Sequence, residues 1–182
     1  MKTALVLLTD GVEEMEFTAP VDLLRRAGVT VVVAAVDLEE DNLIATGRNG
    51  IRLGADVDFT AVQGKVFDLV VLPGGPGHVT LRQNRFVLHM LRNQAMAQRW
   101  IGAICAAPLI LHEATLLKGK NYTGHPTIEA ELPARDAVRP VVQDGKIITS
   151  QGAGTATRFS LALVSAICGP EAADEVATSI CA

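Results

Sequence analysis

The sequence predicts an α/β fold in which a mostly parallel sheet carries helices on both faces. Three observations lead there. Residues 4–8, 29–36, 67–72 and 100–104 are short, nearly continuous apolar runs, as expected of strands buried on both faces. Stretches of helical period lie between or after them. Several runs end in small or turn-forming residues, and in such folds ligands sit beyond the carboxyl ends of the strands.

The elements follow in order. Residues 4–8 form the first strand, closed by Thr9-Asp10-Gly11. A helix carrying Phe17, Val21, Leu23, Leu24 and Ala27 follows and stops at Gly28. Pro20 lies inside it; Glu13, Glu14 and Glu16 suit a helix N-terminus, so we expect the helix to start there and to kink at the proline. After the strand over 29–36 comes a polar turn over 37–42, then short extended segments over 43–57 around Gly47, Gly50 and Gly54. The third core strand, 67–72, is stopped by Pro73-Gly74-Gly75-Pro76-Gly77. A helix is expected over 85–99, the fourth strand over 100–104 and a helix over 107–114. A short strand over 121–123 and a short helix over 127–132 come next. Gln143-Asp144-Gly145 reads as a hairpin turn between 138–142 and 146–150. A small-residue turn at 151–155 leads into an apolar helix over 156–168, and Gly169-Pro170 separates it from a last helix over 171–179. No internal repeat or linker appears, so residues 1–182 read as one domain.

Composition excludes several functions. The net charge of −4, with both signs interspersed, leaves no basic footprint for nucleic acid. The apolar runs fall well short of the roughly 20 residues that span a bilayer. The first residues carry no leader with a small-residue cleavage site, and a cytoplasmic protein is expected. Three widely spaced cysteines argue against a disulfide framework and a cysteine zinc site. Gly74-Gly75-Pro76-Gly77 is not a dinucleotide fingerprint, no Walker A loop is present, and no His/Glu spacing suggests a helical metal site. Neither cofactor nor metal is expected.

The chemistry gathers at Cys105. The stretch 101–111 passes from apolar strand through small residues into apolar helix, with Ala103 and Ala107 two residues either side of the cysteine. That pattern fits a nucleophile elbow, which holds a side chain out of the sheet beside free N–H groups. Cysteine is also a common buried hydrophobe; the convergence of unusual strand ends favours the reactive reading. Glu16 can act on the thiol in two ways. A protonated carboxyl donating to sulfur favours the thiolate; an ionised one raises the thiol pKa or acts as a base. Gly74 and Gly75, with the N–H of Ala106, are candidate oxyanion donors, although glycines after a strand also serve plain turns. His125, before Pro126, is a candidate proton shuttle. Cys168 reads as packing and Cys181 as a terminal, oxidisable thiol.

These motifs occur together in one order: Gly11-Val12-Glu13-Glu14-Met15-Glu16, 20–28, Val70-Val71-Leu72-Pro73-Gly74-Gly75, Ala103-Ile104-Cys105-Ala106-Ala107-Pro108, His125-Pro126 and 149–155. The sequence so resembles the ThiJ/PfpI superfamily, in the branch that contains the parkinsonism-associated deglycase and its bacterial relatives. The resemblance implies a flavodoxin-like three-layer sandwich and a homodimer. It implies that Cys105 is the reactive cysteine, Glu16 its protonated partner, and Gly74, Gly75 and Ala106 the backbone oxyanion site. His125 would line the pocket, with Glu13, Arg26 and Arg48 near it or near the dimer contact. The implied activity is deglycation of methylglyoxal or glyoxal adducts, or cofactor-free glyoxalase action giving a 2-hydroxy acid. The alternative is an oxidative-stress sensor or redox-regulated chaperone in which Cys105 becomes a sulfinate. Two departures matter. Ala106 stands where the protease-like branch has histidine, so a protease is disfavoured. Leu53 stands where some relatives have an interface cysteine.

Overall fold

The computed structural model describes residues 1–39 and 43–182. The turn expected over 37–42 therefore lies partly outside the described residues. The core strands are β1 (Thr3–Leu8), β2 (Thr30–Ala35), β6 (Leu69–Leu72), β7 (Trp100–Ile104) and β9 (Ile147–Ser150). The shorter ones are β3 (Ile44–Thr46), β4 (Arg52–Gly54), β5 (Val57–Asp58) and β8 (Val141–Asp144). One seven-stranded sheet has the order β5-β2-β1-β6-β7-β9-β8, and β3 and β4 form a separate antiparallel hairpin. Every pairing in the large sheet is parallel except β8 with β9. This is the doubly wound, flavodoxin-like arrangement. The strand order reverses between β1 and β6, so the carboxyl ends of those two strands border the crevice where such sheets bind ligands.

The helices are α1 (Glu14–Arg26), α2 (His78–Gln83), α3 (Arg85–Met96), α4 (Pro108–Glu113), α5 (Ala156–Cys168) and α6 (Pro170–Ser179). α1 and α5 pack together on the sheet with α6 against α5, while α2, α3 and α4 form a second group. Strands β1, β6 and β7 are buried almost throughout, which is why they read as unbroken apolar runs rather than as alternation. Gly102 in β7 lets α5 come close: a Cβ there would stand 2.8 Å from Leu163 and 3.0 Å from Phe159. Among the described residues no helix is long and apolar enough to cross a membrane.

Several boundaries differ from expectation, each for a local reason. α1 begins at the acidic run and continues through Pro20. α2 was not anticipated; it is six residues long with only Leu81 buried, too short to show a period. α3 ends at Met96, where the chain turns through Gln98 at φ +54°. The expected strand at 121–123 is a single bridge from Thr123 to Asp136. The expected helix over 127–132 is a 3-10 turn, Pro126–Ile128, capped by His125. The hairpin turn falls at Gly145-Lys146, one step later than read, with Gly145 at φ +59°.

Candidate active site

Two loops clasp each other at the reversal of strand order. Residues 9–13, after β1, meet residues 73–77, after β6. Glu13 N–H donates to Gly74 O at 3.1 Å and Gly77 N–H to Gly11 O at 3.1 Å. The approach needs glycine. A Cβ on Gly75, at φ +84°, would lie 2.5 Å from both Glu13 N and Gly11 O. A Cβ on Gly74 would lie 2.5 Å from Glu16 Oε2 and 2.6 Å from Cys105 Cβ. The glycines thus bring the first turn of α1 onto the end of β7.

Cys105 occupies the turn after β7 at φ +66°. The left-handed conformation costs a residue with a Cβ about 1–2 kcal/mol, and it is sustained by its surroundings. Cys105 N–H donates to Ser150 O and Cys105 O accepts from His125 N–H, both at 2.9 Å. The strained turn is the expected elbow, with Cys105 8% exposed. The backbone N–H groups of Gly75 and Ala106 act on its thiol, pulling its pKa down against burial. α4 begins three residues on and has only six residues, so the local N–H groups, rather than a long helix dipole, act on the thiol.

Glu16 lies in the first turn of α1 and is 1% exposed. Its Oε2 accepts from Gly74 N–H at 3.0 Å. Gly74 therefore positions the carboxyl instead of presenting a free oxyanion donor; Gly75 and Ala106 keep the role of donors at sulfur. Burial pushes Glu16 up to about 7, with the charge of Glu13 adding to it, while hydrogen bonds from Cys105 and Gly74 and the charge of Arg48 oppose it. Burial also pushes the Cys105 thiol up to about 12, and the neighbouring Glu16 adds to that. Of the two roles weighed for Glu16, the ionised one thus dominates at high pH, and a simply acidified thiol is not what this geometry gives. Below about 7 both groups are protonated; above it the carboxyl ionises first and the remaining proton stays on sulfur, with Gly74 N–H donating to the carboxylate.

The other expected residues divide. His125 is half-buried. Its Nδ1 accepts from Thr127 N–H at 3.3 Å and meets Thr127 Oγ1 at 2.9 Å, so the neutral ring carries its proton on Nε2. Gly152 separates this ring from Glu16: a Cβ there would stand 3.4 Å from His125 Cδ2 and 3.8 Å from Glu16 Oε1. Glu13 is buried and caps α1, its Oε2 accepting from Glu16 N–H at 2.8 Å. Arg48 is exposed, yet its charge reaches Glu16. Arg26 does not join the group. It lies ten residues along α1 from Glu16, roughly 15 Å at helical rise, and pairs with Asp22 at 3.0 Å.

Sequence reading missed the role of Glu14, taken only as a helix N-terminal acid. It is 5% exposed. Its carboxylate accepts from Asn49 N–H at 2.7 Å and Asn49 Nδ2 at 2.9 Å, which holds it below the usual carboxylate range against the opposing effect of burial. A Cβ on Gly47 would fall 2.3 Å from Glu14 Oε1. Glu14 thereby fastens the β3–β4 turn that carries Arg48 over the site. Gly47 and Gly50 in the sequence marked a turn but gave no sign of what it docks on. Among the described residues no cluster of His, Cys, Asp or Glu is placed to hold a metal ion.

A buried thiol beside a buried carboxyl and two backbone N–H groups can attack an electrophilic carbon or accept oxygen. Comparison with known proteins gives the family. Residues 2–166 match the DJ-1/PfpI family. The chain is 37% identical to Protein dj-1beta of Drosophila melanogaster, over 98% of this chain and 96% of that one. The crystal structure of that protein superposes with a TM-score of 0.93, covering 98% and 97% of the two chains. An oxidized DJ-1 from Toxoplasma gondii, 30% identical, superposes with a TM-score of 0.92 over 99% and 98%. A Caenorhabditis elegans relative described as glutathione-independent glyoxalase DJR-1.2 is 32% identical, over 99% of this chain and 96% of that one.

Proposed function

Because the chain belongs to the DJ-1/PfpI family, we propose that it acts on reactive aldehydes, as a cofactor-independent glyoxalase or a deglycase of methylglyoxal and glyoxal adducts, with Cys105 as nucleophile. The observation that carries this reading is the buried Glu16 carboxyl, held by Gly74 N–H at 3.0 Å, beside the buried Cys105 thiol in its strained turn. Sulfur adds to the aldehyde carbon of methylglyoxal, and the aldehyde oxygen, held by the N–H donors, takes up the proton as a hemithioacetal forms. Glu16, once ionised, removes the hydrogen from that carbon and returns it to the adjacent carbonyl carbon, while the hydroxyl proton passes from the first oxygen to the second. The first carbon is oxidised to a thioester as the second is reduced to a secondary alcohol. Water then cleaves the thioester, releasing lactate and restoring the thiol. His125, with Nε2–H free of the Thr127 contact, is placed in this scheme as a donor to a substrate oxygen. The named glyoxalase relative supports the scheme.

A second reading is supported by the oxidized relative. Two equivalents of hydrogen peroxide convert the Cys105 thiol to a sulfinate and two waters. The same N–H groups and a protonated Glu16 would hold its oxygens. One protein pair tests both. Wild type should convert methylglyoxal to lactate in buffer free of small thiols and amines, and Cys105→Ser should not; equal rates sink the catalytic reading. After mild peroxide, the mass should rise by two oxygens mapping to Cys105. Oxidation confined to the exposed Cys181 would sink the sensor reading.

We further propose a homodimer, supported by the exposed Met15 and Ile51 on the elements that carry Glu16 and Arg48. Sedimentation should give twice 19.2 kDa; the mass of one chain would overturn it. Three free cysteines suit a reducing compartment, and the cytoplasm is the location proposed.

A further inference from the structure

A second cavity, of ≈ 600 Å³, opens between the end of α4, the turn at 117–120 and the segment 131–134. None of the residues around Cys105 described above lines it. Its size falls within the range of about 300–1,000 Å³ usual for small-molecule sites.

The lining has a distinct chemistry. Leu117 and Leu132 are buried at its base, and Pro133 and Ala134 form an apolar rim. Tyr122 lines the same space and is 6% exposed. Its hydroxyl has no hydrogen-bond partner among the described residues, and burial is the one influence on its ionisation. A buried phenol normally finds an acceptor. This hydroxyl is not among the fully enclosed unpaired atoms, so it keeps access to open space, and the space its side chain lines is the cavity.

The charges around the rim point to the sign of what would fill it. Glu131 is held by Arg82 at 2.7 Å, and Lys120 by Asp144 at 3.2 Å. His112, on the same rim, is exposed. Lys118 has no acidic partner among the described residues. One unpaired cation and one unpaired O–H donor thus face an apolar hollow. A carboxylate oxygen accepts from both in charge-assisted bonds, while a compact, strongly hydrated anion would gain nothing from the apolar walls.

We propose that this cavity is a binding site for a small organic carboxylate with an apolar body, its charged end on Tyr122 Oη and Lys118 and its body against Leu117, Leu132 and Pro133. The site is independent of Cys105 and of the activity assigned above.

Tyr122 is the chain's single tyrosine, which makes a direct test available. Protein labelled with 3-fluorotyrosine has one fluorine resonance, from the floor of the cavity. Titration with benzoate should move it saturably. Benzamide, with the same ring and no charge, should bind about tenfold more weakly, and inorganic phosphate should leave the resonance in place. Lys118→Gln should weaken benzoate by about two- to fivefold, the worth of one exposed charge. Ala134→Trp, on the exposed rim, should fill the space and abolish the shift without touching the core. Cys105→Ser should leave the titration unchanged. The proposal is overturned if benzoate gives no saturable shift, if benzamide or phosphate matches it, or if the shift survives Ala134→Trp.

Discussion

Glu16→Gln should abolish turnover and change how stability depends on pH. The folded-state pKa of Glu16 is raised from 4.5 to about 7, chiefly by burial. Below 4.5 the carboxyl is protonated in both the folded and the unfolded chain, and it sets no slope. Between 4.5 and about 7 the folded chain keeps a proton that the unfolded chain has lost, so stability falls as pH rises through this window and levels off above it. The loss is on the order of 3 kcal/mol. Glutamine has nearly the same shape, can still accept from Gly74 N–H, and carries no charge. Urea unfolding of the two proteins from pH 4.5 to 8 should therefore show wild type losing ground to Glu16→Gln by that amount. Parallel profiles would refute the assignment. The variant should also lose roughly a hundredfold or more in methylglyoxal turnover, as a proton-transfer group does. Its thiol should titrate below the value of about 12 that wild-type Cys105 reaches, because the neighbouring charge is gone; thiolate absorbance reads this directly.

Gly75→Ala should be among the most destabilising single-methyl changes in the chain. Alanine at φ +84° pays the left-handed penalty, and its Cβ meets Glu13 N and Gly11 O at 2.5 Å. Both are backbone atoms of the clasp, with no flexible end to swing away. Strain and overpacking together amount to about 2–5 kcal/mol. Gly28→Ala is the control: its φ is +74° but nothing lies within 4 Å of a Cβ there, so only the first part, about 1–2 kcal/mol, applies. Chemical denaturation should separate the two variants by the steric part. Equal losses would mean that the clasp yields easily. The surviving folded Gly75→Ala protein should also alkylate Cys105 at a changed rate, since Gly75 N–H is one of the two donors on its sulfur.

The sheet was readable because its strands are buried on both faces, and β7 and α5 fall where their apolar runs begin and end. Cys105 was readable from small residues at a strand end. What escaped were features made by chain segments meeting at long range. Glu14 looks like any first-turn acid until the β3–β4 turn docks on it. Gly152 shows no peculiarity of its own; it matters because His125 and Glu16 face it from two other segments. Arg26 was placed near the pocket or the dimer contact by resemblance alone; the length of α1 sets it apart from Glu16, where it pairs with Asp22. Whether Glu16 is protonated or ionised beside Cys105 could be posed from the sequence only as two alternatives, because the outcome depends on burial that only the packed loops supply.

The bonds that hold Cys105 in its turn bear on the order in which the chain can be finished during synthesis. Its N–H is anchored on Ser150 and its carbonyl on His125, both emerging later than the cysteine itself. Parallel pairings of this separation close slowly, and an N-terminal portion made first must wait for them. A nascent chain that has passed Cys105 but has not yet reached β9 carries the thiol without its anchors and titrates as an ordinary cysteine, near 8.5. Oxidative damage before completion is then directed by exposure alone, and selectivity for this thiol is a property acquired with the last core strand.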